Sequence, residues 1–170
     1  RLPLINANGR AGKSDIMVFE ACEFQNHYLE MTYNTAVILN VDADHLDFFG
    51  TLDNVIQSFH TFASRAGSTI IVNNDDAGAM KAVENIQGKT ILRYGTGSSC
   101  HWQARNIRFE RGSFAVFDIY HEGAFFSEVK LNVPGRHNVG NALAAAAASY
   151  LHGADAAQIA QGLSDFHGAG

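Results

Sequence analysis

The chain has 170 residues and a mass of 18.4 kDa, the size of one ordinary domain. Hydrophobic residues make up 46% and charged residues 17%, which excludes a disordered or low-complexity chain. Twelve Lys and Arg against 17 Asp and Glu leave a net charge of −5, which argues against a general binder of nucleic acid or of a membrane surface, since both need a basic patch.

Cys22 and Cys100 sit in no CxxC pair, so a zinc knuckle or dithiol motif is unsupported, and two scattered cysteines fit a reducing compartment. No apolar run approaches the ~20 residues of a membrane span. The chain opens on Arg1 and not Met, as expected of a stretch from inside a longer protein.

Strand and helix patterns alternate along the chain. Residues 15–19 form an apolar run that ends on a carboxylate, Glu20, and read as a strand. Residues 35–41 are continuously apolar up to Asn40, as a strand buried on both faces should be. Leu52, Val55, Ile56, Phe59 and Phe62 recur at helical spacing after a cap candidate, Thr51. Residues 69–72 and 90–94 read as further strands, with a helix carrying Ala77, Met80, Ala82 and Val83 between them. This order implies a mostly parallel sheet flanked by helices, an α/β domain. Residues 101–131 change character. Turns at Arg111-Gly112-Ser113 and His121-Glu122-Gly123-Ala124 divide short strands, which implies a small antiparallel meander joined to the parallel sheet. Helices follow over 138–150, with its alanine run at 144–148, and over 154–163. Phe166 to Gly170 reads as loop. Neither a repeat nor a flexible linker divides the chain, so residues 1–170 read as one domain, cut from a longer protein at both ends.

Four motifs carry candidate chemistry. Ala7-Asn8-Gly9-Arg10-Ala11-Gly12-Lys13-Ser14 matches a relaxed phosphate loop, but Lys13-Ser14 leads into a predicted strand instead of the helix such a loop must open, so the match reads as chance. Glu20, with Glu23 close behind, follows a predicted strand at the edge where open α/β sheets bind ligands; an exposed loop carboxylate is an equal reading. Asn40-Val41-Asp42-Ala43-Asp44-His45-Leu46-Asp47 follows the next strand. His45 between Asp44 and Asp47 offers the imidazole and hard oxygens that suit Mg²⁺ or Mn²⁺ beside phosphates. In Pro134-Gly135-Arg136-His137-Asn138-Val139-Gly140-Asn141, the two asparagines are three apart on one helix face. They could read the donor–acceptor edge of a purine, and Asn138 could equally be a helix cap.

Taken in order, these motifs resemble the central domain of the Mur ligases, over essentially the whole chain. The resemblance implies an ATP-dependent carbon–nitrogen ligase of peptidoglycan precursor synthesis, cytoplasmic, that activates a carboxylate as an acyl phosphate for attack by an amine. Glu20 and His45 match the family's Mg²⁺-binding residues, and Asn138 and Asn141 match the adenine-contacting amides, with His137 beside them. ATP, UDP-N-acetylmuramate and L-alanine are the small-molecule substrates implied. The segment from Asn8 to Ser14 matches the polar stretch before the family's Glu-bearing strand.

Departures from the family pattern refine the expectation. The Gly-Lys-Thr-Thr phosphate loop and the flanking uridine-nucleotide and amino-acid-binding domains have no counterpart in these 170 residues, so the chain by itself is expected to fold but not to turn over ATP. Several relatives carry a carbamylated lysine about fourteen residues after the metal-binding histidine. Here that region reads Ser58-Phe59-His60-Thr61, which favours the alanine-adding branch. The 25-residue interval from Glu20 to His45 suits that branch better than the murein-tripeptide recycling branch. The alternatives are another amide ligase of the superfamily, the murein-tripeptide recycling ligase or a folylpolyglutamate-type synthase, and a non-catalytic nucleotide-binding domain that kept the fold.

Overall fold

The structure is a computed structural model that describes residues 9, 11–110 and 112–168. One six-stranded sheet runs in chain order through β1 (Thr35–Ile38), β2 (Thr69–Asn73), β3 (Thr90–Gly95), β4 (Trp102–Glu110), β5 (Phe114–His121) and β6 (Ala124–Pro134). β1 to β4 are parallel, and β4 to β6 form the antiparallel meander that the turn residues predicted. The helices are α1 (Leu46–Phe49), α2 (Leu52–Arg65), α3 (Ala77–Ala82), α4 (His137–Leu151) and α5 (Ala156–Asp165), with a 3-10 segment over Phe24–Glu30.

Each element follows from its residues. β2 is buried on both faces, and its side chains alternate between two cores. Ile71 packs with Leu143 and Ala147 of α4 and with the meander's Trp102, Phe117 and Leu131. Ile70 and Val72 join the other core with Val55 and Phe62 of α2 and Ala79 of α3. Burying one such side chain stabilises the fold by about 1.5–3 kcal/mol. Thr51 caps α2 by accepting from the Asn54 N–H at 3.3 Å. The small residues of α4 let it lie close on the sheet: a side chain added at Gly140 would touch the Tyr94 ring at 3.8 Å. α5 opens with a capping box between Asp155 and Gln158.

Two expectations need correction. Residues 15–19 form no strand; Ile16, Met17 and Val18 stand 45%, 83% and 90% exposed. An apolar run becomes a strand only where a neighbour supplies a hydrogen-bond ladder. Among the described residues β1 pairs with β2 alone, and nothing pairs with residues 15–19. The strand expected over 35–41 stops at Ile38, because side chains take over from the ladder. Asn73 Nδ2 donates to the Leu39 carbonyl at 2.9 Å, and Asp76 Oδ1 accepts from the Val41 N–H at 3.2 Å. The phosphate-loop decoy lies in part outside the described residues, as do Arg111 of the first meander turn and the final Ala169-Gly170.

Candidate active site

The carboxyl ends of β1, β2 and β3 meet the start of α4 around a cleft of about 540 Å³. Asn40 and Asp42 follow β1, Asn73 and Asp75 follow β2, and Gly95 and Thr96 follow β3; Arg136, His137, Gly140 and Asn141 close the opposite wall. This is the edge where an open α/β sheet offers a crevice. Both signs of charge face it, with Asp42 and Asp75 on one side and Arg136 on the other.

The cleft wall is built from local hydrogen bonds. Asp75 Oδ2 accepts from the Thr96 N–H at 2.7 Å and from the Thr96 hydroxyl at 2.8 Å. The Asp75 N–H donates to Asn73 Oδ1 at 3.0 Å. Gln103 Nε2 donates to the Thr96 carbonyl at 2.8 Å and ties in β4. Beneath them Tyr94 donates its hydroxyl to the Ile38 carbonyl at 3.2 Å, bridging β3 to β1 over β2. Burial pushes the Tyr94 phenol above its ordinary pKa, and the carboxylates of Asp76 and Asp75 push it the same way, so it stays a neutral donor.

The start of α4 presents the predicted amides. Asn138 donates through Nδ2 to the Pro134 carbonyl at 2.8 Å, and its Oδ1 accepts from Asn141 Nδ2 at 3.0 Å. Asn138 lies one residue inside the helix and makes no cap bond, so the capping alternative does not describe it. Asn141 lines both the cleft and an apolar hollow of about 370 Å³ between α4, α5 and β6, and Asn138 lines the hollow. The pair therefore sits on the ridge between two concavities. His137 lies in the cleft wall over Gly135, whose φ is +106°; a Cβ there would stand 2.7 Å from the imidazole. Only glycine allows both that backbone and that approach.

His45 caps α1 in the left-handed region, with φ at 51°, and its N–H donates to Asp44 Oδ1 at 2.8 Å. The His45 Nε2 stands 3.4 Å from Glu23 Oε1, and the Phe24 ring lies 5.0 Å from the imidazole. Glu23, Asp44 and His45 bring ligand atoms within 4.8 Å of one another, the only such group among the described residues. Two carboxylates and an imidazole are a donor set that fits a hard divalent cation. Glu20 is exposed and lies outside this group; the structure brings Glu23 to His45 instead. Neither Glu20 nor His45 lines the cleft that holds His137 and Asn141.

Sequence reasoning missed the Asn73–Asp75–Thr96 wall. The signal was present in Asn73-Asn74-Asp75-Asp76, a polar cluster directly after a buried strand, which reads by itself as a helix start.

Comparison with known proteins bears on this geometry. A family model described as the Mur ligase middle domain matches residues 1–149. UDP-N-acetylmuramate–L-alanine ligase from Caldanaerobacter subterraneus subsp. tengcongensis is 40% identical over 166 residues, covering 96% of this chain and 36% of the relative. The ligase of the same name from Clostridium tetani is 37% identical over 169 residues, covering 98% of this chain and 37% of the relative. The chain thus spans about a third of the length of the curated relatives it matches. Among solved structures, MurF from Acinetobacter baumannii aligns with a TM-score of 0.73 at 25% identity, covering 85% of this chain and 32% of that one. UDP-N-acetylmuramate-alanine ligase MurC from Thermotoga maritima aligns with a TM-score of 0.68 at 24% identity, covering 84% of this chain and 31% of that one, and shares the fold.

Proposed function

The chain belongs to the Mur ligase middle-domain family, and on that premise we propose that it is the ATP-binding part of a cytoplasmic ligase that joins L-alanine to UDP-N-acetylmuramate. The γ-phosphoryl group of ATP passes to a carboxylate oxygen of the muramate, releasing ADP and leaving an acyl phosphate. The alanine amine then attacks the acyl carbon, phosphate leaves, and the amide remains. The observation that supports this best is the cleft where three strand ends face a helix start carrying His137 and Asn141, in a chain whose relatives of that name match it nearly end to end.

Each group has a part in this reading. Asn141 reads the adenine edge, because an amide both donates and accepts, as the N6 and N7 positions require. Asn138 orients it, since Asn138 Oδ1 holds one of the Asn141 amide hydrogens. His137 and Arg136 supply donors and positive charge on the same wall, where an anionic substrate needs them. Mg²⁺ would be held by His45 with the carboxylates beside it, Glu23 and Asp44, and Glu20 is the further ligand the family resemblance implies. When bound, the cation neutralises charge on the transferring phosphoryl group. The phosphate loop and the domains that grip the other substrates belong to the rest of the parent protein.

The test is a substrate panel on the full-length parent, read as ADP release and amide formation. Turnover is expected with UDP-N-acetylmuramate and L-alanine together. Turnover with a free tripeptide in place of alanine would assign the recycling branch, and no turnover with any acceptor would leave a nucleotide-binding scaffold. In the active parent, His45→Ala is expected to lower the rate at least ~10²-fold, the scale for losing one charge-stabilising group.

A further inference from the structure

We propose that Asp75 is a positioning residue for the nucleotide: it fixes the strand-end wall of the cleft that faces the start of α4, and so sets the affinity for ATP. The proposal rests on reading this cleft as the nucleotide site. Three observations on the structure lead to it.

The first is the direction of the Asp75 carboxylate. It turns away from its own helix, and one oxygen, Oδ2, accepts both the main-chain N–H and the hydroxyl of Thr96. The capping of α3 is done by the next residue, Asp76, whose Oδ1 accepts from the Ala79 N–H. Asp75 is therefore not needed for the helix start. Its bonds join the loop after β2 to the end of β3 along one wall of the cleft.

The second is the fit at Gly95. A Cβ on Gly95 would lie 2.6 Å from Asp75 Oδ1 and 2.8 Å from its Cγ, closer than real contacts permit. The carboxylate can take this position only because residue 95 has no side chain. Gly95 itself is buried and lines the cleft.

The third is the link to β1. The Asp75 N–H donates to Asn73 Oδ1 at 3.0 Å, and Asn73 Nδ2 donates to the Leu39 carbonyl just after β1 at 2.9 Å. The Asn73–Asp75 turn is thus tied to the end of β1 on one side and to Thr96 at the end of β3 on the other, all within the strand-end wall of the cleft. Losing the Asp75 carboxylate releases the Thr96 side and leaves the β1 side, so that wall loosens. A nucleotide that spans the cleft feels that as lost affinity, and the chemical step feels it less.

The experiment uses the full-length parent enzyme, with steady-state kinetics in ATP and calorimetric titration with ADP. Asp75→Ala is expected to raise the KM for ATP and the Kd for ADP about 5-fold, the scale for losing exposed bonds to a charged group, with a smaller change in kcat. Asp75→Asn is expected to recover most of this loss, because both Thr96 bonds go to a single oxygen that an amide also offers. Gly95→Ala, which displaces the carboxylate, is expected to resemble Asp75→Ala, and the double variant to be no worse than either alone. Unchanged KM and Kd in Asp75→Ala overturn the proposal. So does an Asp75→Asn as damaged as Asp75→Ala, which would mean that the charge and not the geometry matters. Equal losses in KM and kcat with a lowered melting temperature would mark a merely structural residue and also overturn it. Failure of the wider reading looks different: wild-type protein would not bind ADP at all, or Asn141→Leu would leave ADP affinity untouched while Asp75→Ala lowered it.

Discussion

The two ends of the single sheet behave differently although their sequences are similarly apolar. In β5, Ala115, Phe117 and Ile119 are fully buried, since the strand has a partner on each side and α4 with α5 over the core. At the other end, among the described residues, β1 has one partner, Val37 is 38% exposed, and Ile16, Met17 and Val18 lie open with no ladder beside them. Hydrophobicity alone does not decide burial. A backbone polar group loses water only where another backbone replaces it, so the apolar run with two neighbours becomes core and the run with none stays outside. The candidate site straddles this divide. Its cleft runs from the end of edge strand β1 to the ends of the inner strands β2 and β3, whereas Glu23, which contacts His45, belongs to the segment without a ladder.

The largest effect that would break this contrast is in the meander. Phe117→Ala is expected to destabilise the chain by about 3–5 kcal/mol, seen as a lower urea midpoint with an unchanged slope. Val37→Ala on the edge strand is expected to cost well under half of that. Comparable losses would mean that the β1 edge is as tightly packed as the meander.

Alkaline pH tests the β1 side by another route. Burial, ahead of all other causes, pushes the Tyr28 hydroxyl up to about 12, and burial does the same for Tyr33. Both rings lie 4.7 Å from Phe62. In the unfolded chain a tyrosine ionises near pH 10. The folded pKa is higher, so this stability is whole below pH 10 and is lost as pH rises through about 12. Denaturant midpoints taken from pH 9 to 12 are expected to fall over that window. Tyr28→Phe is expected to flatten the fall, at the cost of its 2.7 Å hydroxyl bond to Ser58, about 1 kcal/mol. A slope identical in Tyr28→Phe would show that Tyr28 is not held neutral by its surroundings.

Most of the fold was legible because its signals are local. Periodicity located β2, α2 and α4, and turn residues located the meander. The motif after β1 and the amides of α4 were legible for the same reason, as polar groups placed directly after strands or at a helix start. What failed was long-range. Residues 15–19 have the composition of a strand, and no local feature reveals whether a ladder partner lies beside them. Glu20 was placed by that strand: it is exposed here, and Glu23, in the 3-10 turn's approach, is the carboxylate that reaches His45. The Asp75–Thr96 bond joins residues 21 apart in sequence, and only the parallel pairing of β2 with β3 brings them together.

The smallest effect sharpens the comparison most. Val18 is 90% exposed, so replacing it with serine removes almost no buried apolar surface and creates no buried polar group. By transfer bookkeeping its cost is near zero, and surface substitutions of this kind stay within about 0.5 kcal/mol. The same substitution in β2, at Val72, would bury a hydroxyl among Ile38, Val55 and Ala79 and remove two methyl groups from a closed core. That difference is what a ladder partner confers on a valine. Val18→Ser is therefore expected to unfold at the same urea concentration as the parent chain, with the same slope. A loss of 1 kcal/mol or more would mean that Val18 is covered in solution. Residues 15–19 would then be a strand after all, Glu20 would regain its place at a strand end, and the contrast between the two ends of the sheet would fail at its sharpest point.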